Sequence, residues 1–418
     1  MLDRSTPPNL KDIKSIDFVA PRKFNIGNKI DFFWLQDGAG ETFKLDLVFP
    51  AGTILSEKLV AKFAADLLLS GTTEKTAARL HEEIDLLGGF VQMDVTAEEL
   101  VVSMYGLVNH FSTLLKLVWN AINEVVFPEK ELSDQLKTSR QRFLIASEKV
   151  NVLARQRFME ELLHGTPFGI RTVLTDFDEV SREKLVAFHS DFIKGRLMEV
   201  SLIGHIDEKD VDAMIELLSE SQQPIVSVPR YSFDKKVITT HEPKENSVQS
   251  AIRIGKLLFN RTHKDYMTFS VVNTVLGGYF GSRLMTSLRE EKGYTYGVGS
   301  GVAQSKQLGY FFISTEVGNH VREEALKLIQ HEMQRLQQEE VCEEELDLVR
   351  NYMLGQLLKG SDGPFAMMDR FLTVNKFGLD FSYYDRLIHT IKTISPKEIK
   401  GIAQKYLSWE DMIVVSVG

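Results

Sequence analysis

Arg289 and Tyr296 stand seven positions apart in the stretch 277–301, GGYFGSRLMTSLREEKGYTYGVGSG. An arginine offers a planar fork of N–H donors, and a tyrosine offers a hydroxyl on a stiff ring. Brought to one surface, the two suit the grip of a peptide backbone. Spacing alone leaves another reading open, with Arg289 as one charge of a solvated face and Tyr296 as a core aromatic.

The elements that must position the pair are legible around them. Gly277, Gly278 and Gly281 open the stretch, and glycine tolerates positive φ or a close backbone approach. Ser282 is placed to cap a helix running to Lys292, with Leu284, Met285 and Leu288 as its buried stripe. Gly293 stands where a glycine ends such a helix. Tyr294, Tyr296 and Val298 then alternate with Thr295, Gly297 and Gly299, which predicts a strand.

Other chemistries are poorly supplied. The closest two histidines, His320 and His331, are 11 positions apart, so no i, i+4 helix pair exists. His81-Glu82 and His331-Glu332 begin like a metal motif, but Asp85 and Arg335 take the second histidine position. The single cysteine, Cys342, excludes an internal disulfide and any cysteine-based metal cluster. Its acidic setting, VCEEEL, disfavours a reactive thiolate. The chain has no G-x-S-x-G nucleophile elbow, and GGYFGS lacks the Lys-Ser/Thr end of a phosphate loop.

At 418 residues, 43% of them hydrophobic and 26% charged, the chain has the composition of a soluble globular protein of two or three domains. A net charge of −9 argues against nucleic acid and against an anionic membrane surface, which select basic patches. No run approaches the ~18 apolar residues of a membrane span. The opening MLDRSTPPNLKDIKSIDF has no signal-peptide core. A cytoplasmic chain is expected, with the periplasm left open for one whose leader had been removed.

After a Pro-bearing arm, the pattern predicts a strand over 43–49, helices over 57–70 and 75–87, and strands over 90–95 and 100–107. Helices follow over 111–126 and from Glu129 to about Glu148, and a strand over 197–203. The second half repeats this order. Residues 180–204 align without a gap on 394–418, Ser181 falling on Ser395 and Gly204 on Gly418. Asn109-His110 corresponds to Asn319-His320, and EKEL from Glu129 to EEEL from Glu343. Shared punctuation at a spacing of roughly 210 residues reads as an internal duplication. It predicts half-units 1–218 and 237–418 joined by a linker over 219–236. Each is expected to be an α+β layer, a mostly antiparallel sheet with helices on one face, the two facing each other across a cavity.

The stretch GGYFGSRLMTSLREEKGYTYGV resembles the second-domain signature of the pitrilysin and mitochondrial-processing-peptidase family, the inverzincins. The segment LLLSGTTEKTAARLHEEIDLLGG resembles the same family's first domain. In that family an Arg and a Tyr seven positions later bind substrate backbone near the scissile bond; they match Arg289 and Tyr296, and Gly277 and Gly278 are expected to join them in substrate binding by letting the loop approach the peptide or the partner.

Active members also carry H-x-x-E-H and a distant Glu. Here Lys62 and Asp66 stand at the histidine positions, Ala65 at the base, and Phe143 at the distant Glu. The resemblance therefore implies a chain with no zinc or other cofactor of its own. It implies a peptide-binding subunit that lends Arg289 and Tyr296 to a homologous H-x-x-E-H partner in a heterodimer. A homodimer is the alternative for the chain alone, and a structural or interaction subunit without a part in catalysis is the rival function.

Overall fold

Alternation along Thr42–Phe49 decides where the first sheet puts its core: Phe43, Leu45, Leu47 and Phe49 turn to one face, while Lys44 and Asp46 turn to the other. In the computed structural model, which describes residues 13–418 except 14, 28, 37–39, 222 and 225, that strand lies inside a six-stranded sheet. Its strands are β1 (Arg22–Ile26), β2 (Ile30–Leu35), β3 (Thr42–Phe49), β4 (Phe90–Val95), β5 (Leu100–Leu107) and β6 (Glu199–Ile203), in the order β1-β2-β6-β3-β5-β4. The helices of this half are α1 (Val60–Asp66), α2 (Ala77–Leu86), α3 (Phe111–Glu124), α4 (Glu129–Ser147), α5 (Val150–Leu162), α6 (Arg182–Phe192) and α7 (Glu208–Ser219).

A second sheet has five strands: β7 (Ile238–Glu242), β8 (Gln249–Leu258), β9 (Val298–Gln304), β10 (Gly309–Gly318) and β11 (Ile413–Val417), in the order β7-β11-β8-β10-β9. With it come α8 (Tyr266–Asn273), α9 (Arg322–Gln338), α10 (Glu343–Lys359), α11 (Gly363–Asn375), α12 (Ser382–Thr393) and α13 (Pro396–Tyr406). Among the described residues none between Ser219 and Ile238 is helical or extended in a sheet.

Apart from the edge strand β1, the two sheets share one topology. In each, a single parallel pair, β2 with β6 and β7 with β11, sits beside antiparallel pairs. The aligned segments carry it: α6 and α13 precede β6 and β11, and both helices are capped alike. Ser181 Oγ accepts from the Lys184 amide, and Ser395 Oγ accepts from the Glu398 amide. The start of the chain expected as an arm lies in part outside the described residues. Its described remainder packs Ile16 and Phe18 on the core of the second half and then forms β1 and β2, a hairpin turned at Gly27 with φ of 58°. The helix predicted over 57–70 is shorter, because Leu59 enters α1 in a left-handed conformation.

Most helices cover one face of each sheet, and the halves exchange one helix apiece on the other face. Helix α5 of the first half sets Leu153, Ala154, Phe158 and Leu162 against Ala251, Ile413, Val415 and Val417 of the second sheet. Its counterpart α11 of the second half sets Phe365, Met368 and Phe371 against Phe33, Leu35 and Ile203 of the first. Beneath α11, the buried Asp46 carboxylate accepts from Ser103 Oγ at 2.6 Å and Ser201 Oγ at 3.2 Å, and pairs with Lys44 at 3.0 Å.

Candidate functional site

The entry to the 277–301 stretch is widened backbone. Helix α8 runs on into a π-helical turn, Thr274–Gly278, and a second π-helix covers Met285–Glu291. Such i→i+5 segments are rare and concentrate at functional sites. Gly277 is buried against β9: a β-carbon there would stand 2.6 Å from Ser300 Oγ. The required feature is thus close approach, and not positive φ. Gly278 is half-buried over Thr274 and Asn273.

Leu284, Met285 and Leu288 form the buried stripe the periodicity predicts. Ser282 does not cap with its side chain. Its Oγ is buried without a partner among the described residues, while its carbonyl accepts from the Thr286 amide at 2.9 Å. The segment is instead anchored by Arg283, which donates twice to the Glu345 carboxylate of α10 at 2.8 Å. Gly293 ends the helix at φ 63°, and the Tyr294 amide reaches back to the Leu288 carbonyl at 2.9 Å.

The strand predicted from Tyr294 begins later, at Val298. Thr295 is the reason: its hydroxyl accepts from the Gly297 amide at 3.0 Å, folding a local turn that competes with the ladder. Thr315 Oγ1 braces that turn through the Thr295 hydroxyl at 2.9 Å. Tyr296 therefore rides on the tip and is 93% exposed, which excludes the core-aromatic reading.

Arg289 joins it. The Arg289 guanidinium carbon lies 5.4 Å from the Tyr296 ring centroid and 4.5 Å from that of Phe280, itself 64% exposed. The expected reversal does bring the pair to one surface, with Phe280 as a third member that pattern reasoning overlooked. Contacts of this kind contribute ~0.5–1 kcal/mol per ring at exposed sites.

The first half offers no zinc site at the matching helix. On α1 the Lys62 ammonium pairs directly with the Asp66 carboxylate one turn on, and Gln135 of α4 donates its amide to the other Asp66 oxygen at 3.2 Å. Ala65 is buried. The α4 residue that reaches Asp66 is thus Gln135, and Phe143 lies elsewhere, its ring 5.5 Å from that of Phe177. The zinc that the resemblance associates with this helix does not fit these residues. A cation already neutralises the one carboxylate, and an amide and a methyl group complete the surroundings.

Between the halves lies a cavity of about 730 Å³. Lys58, Lys62, Met159 and Leu163 of the first half line it, together with Gln304, Leu308 and Tyr310 of the second. Neither Arg289 nor Tyr296 is among the residues that line this cavity. They occupy the open surface that precedes the start of β9, whereas the cavity adjoins its end.

The hairpin tips of the two sheets meet over one charged cluster. Glu99 pairs with Lys306 at 3.0 Å and Lys376 at 2.6 Å, and Gln307 donates to Glu98 at 3.1 Å. Burial works against the Glu99 carboxylate, but the two ammonium groups outweigh it and hold its pKa below the usual value. Nearby Glu199 is pushed up to about 7, by burial first and then by the Glu99 charge.

A family model described as "Peptidase M16 inactive domain" matches residues 179–353. The chain is 21% identical to "Probable inactive metalloprotease YmfF" of Bacillus subtilis over 266 residues, 61% of either chain, so this match spans about three fifths of that relative's length. It is 20% identical to "Non-peptidase homolog YmxG" of Helicobacter pylori over 381 residues, 88% of this chain and 87% of that one. In fold it is similar to the crystal structure of a peptidase M16 inactive domain from Pseudomonas fluorescens, with TM-score 0.85 and 21% identity over 96% of this chain and 98% of that one. A protease from Helicobacter pylori superposes with TM-score 0.82 and 15% identity over 95% and 100%.

Proposed function

From its likeness to inactive pitrilysin-type (M16) homologues in family model, relatives and fold, we propose that this chain is the zinc-less subunit of a peptidase assembly. In this reading it binds extended peptide and presents Arg289 and Tyr296 to the active site of a homologous partner that carries H-x-x-E-H. The observation that carries it is the placement of the pair. Arg289 is stacked between two exposed rings at the end of a π-helix, with no ion pair among the described residues to occupy its fork.

The chemistry follows from the side chains. The Arg289 guanidinium would fix a substrate carbonyl, which is positioning. The Tyr296 hydroxyl would donate to the oxygen on which charge develops, an interaction worth roughly 3–4 kcal/mol per donor in comparable sites. The experiment is reconstitution: the chain is mixed with an H-x-x-E-H homologue from the same genome, and cleavage of an unstructured peptide is followed. The reading expects cleavage from the mixture that neither chain gives alone.

A second reading, an interaction subunit with no part in catalysis, is favoured by the relatives described as inactive or non-peptidase. The same mixture separates the two. A complex whose activity is indifferent to Arg289 and Tyr296 belongs to the second.

A further inference from the structure

The inner face of the second sheet carries a cationic patch to which neither Arg289 nor Tyr296 belongs. One wall is a ridge of α5 and its C-cap, Arg155, Met159 and Leu163 at i, i+4 and i+8. Met159 and Leu163 line the cavity between the halves, and the exposed Arg155 continues their ridge beyond it. The facing wall is the sheet. Tyr310 lines the cavity, and the Phe312 ring follows it along β10 at 6.0 Å. Arg253 of β8 lays its guanidinium carbon 5.9 Å from the Phe312 centroid. Across β10, the same face of β9 presents Gly299, Gly301 and Ala303, opposite Ser314, Phe312 and Tyr310, and the Phe312 ring lies over Gly301, where a β-carbon would stand 3.1 Å from its tip.

The two cations stand without a contact ion pair. Among the described residues neither Arg155 nor Arg253 forms an ion pair. Glu316, which accepts from the Asn151 amide at 2.9 Å, is the carboxylate whose charge reaches Arg253, but without contact, and its effect is smaller than those of burial and of Arg155. Burial, and then the neighbouring Arg155 charge, disfavour the Arg253 cation, and both guanidiniums act on the Tyr310 hydroxyl. A half-buried arginine beside a like charge is costly unless an anion joins it.

We propose that this patch binds the terminal carboxylate of an extended peptide, with the carboxylate between Arg155 and Arg253 and an apolar last side chain against Met159, Leu163 and Tyr310. A planar guanidinium matches a carboxylate in two parallel hydrogen bonds. The apolar ridge leading to it selects a peptide end over a free inorganic anion. The site shares only its ligand class with the function proposed above and needs neither a partner nor Arg289 and Tyr296.

The test is fluorescence anisotropy on the full chain, with an N-terminally labelled hexapeptide ending in Ala-Leu-Phe as free acid and as C-terminal amide. The free acid is expected to bind at least tenfold more tightly. Arg155→Gln, an exposed change, should cut that preference several-fold, and Arg253→Gln should bring it within twofold. Arg253→Lys, which keeps the charge, should retain part of it, and thermal melts confirm that each variant is folded. The Arg289→Ala variant should keep the parent chain's ratio of acid to amide binding, whatever it does to the affinity for both peptides together, so failure of the peptidase reading leaves this result untouched. Equal binding of acid and amide, no binding of either, or an undiminished preference in folded Arg253→Gln would each overturn the proposal.

Discussion

Phe158, on a helix of the first half, fills the space above Gly255 of the second sheet. A β-carbon on Gly255 would stand 2.9 Å from the tip of that ring and would also press on the Phe311 carbonyl. The residues are 97 positions apart in the chain, and the contact is half of a reciprocal exchange whose other half is α11 on the first sheet. Phe158→Ala is expected to cost ~3–5 kcal/mol, the usual range for emptying a buried aromatic site. Gly255→Ala should cost a further ~1–3 kcal/mol-scale overpacking penalty of its own. Urea unfolding checks both, and because each half covers the other's sheet, one cooperative transition is expected in place of two.

Tyr296→Phe removes one hydroxyl from a surface position and should leave folding unchanged. In the reconstituted complex it is expected to lower kcat by a factor of roughly 100–1,000, the cost of losing one oxyanion donor. Arg289→Ala should raise KM as well, since it removes positioning in the ground state. Full activity from both variants, with assembly intact, would return the chain to the interaction-subunit reading.

The Glu199 cluster predicts a pH dependence with a definite sign. Its folded pKa, about 7, lies above the ordinary value of 4.5, so the folded state favours the protonated form. Stability from this group is intact below about pH 4.5 and declines as pH rises through 7, by ~3 kcal/mol at the upper end. Glu99 acts in the opposite direction, its contribution being lost only as pH falls below 4.5. Glu199→Gln is therefore expected to raise the melting temperature at pH 8 and change it little at pH 5. A variant with the same melting shift at both values would show that the carboxylate is not titrating there.

Metal analysis of the purified chain should find far less than one zinc per molecule after dialysis, because Lys62, Asp66 and Gln135 already satisfy one another. Changing Lys62 and Asp66 to His and Ala65 to Glu should still fail to restore tight binding while Gln135 and Phe143 remain. One firmly held zinc in the unaltered chain would contradict this account.

The sequence by itself determined the duplication, the sheet-and-helix layers, and the absence of zinc groups at the matching helix. Those features are written locally: alternation marks β4 and β5 to the residue, Ser181 and Ser395 announce their helices, and missing ligands are visible wherever the chain folds. The hairpin β1–β2 was also readable, from IDFFWL after a turn glycine, but charges around it disguised the pattern. Tertiary structure decided the rest, since each remaining feature is a contact between distant residues. Phe280 joins Arg289 only once the π-helix turns it over; Gln135 reaches Asp66 only once α4 crosses α1; and α5 and α11 trade sheets only when both halves are present. A hydrophobic period says that a helix has a face to bury, but not which of two similar sheets will cover it.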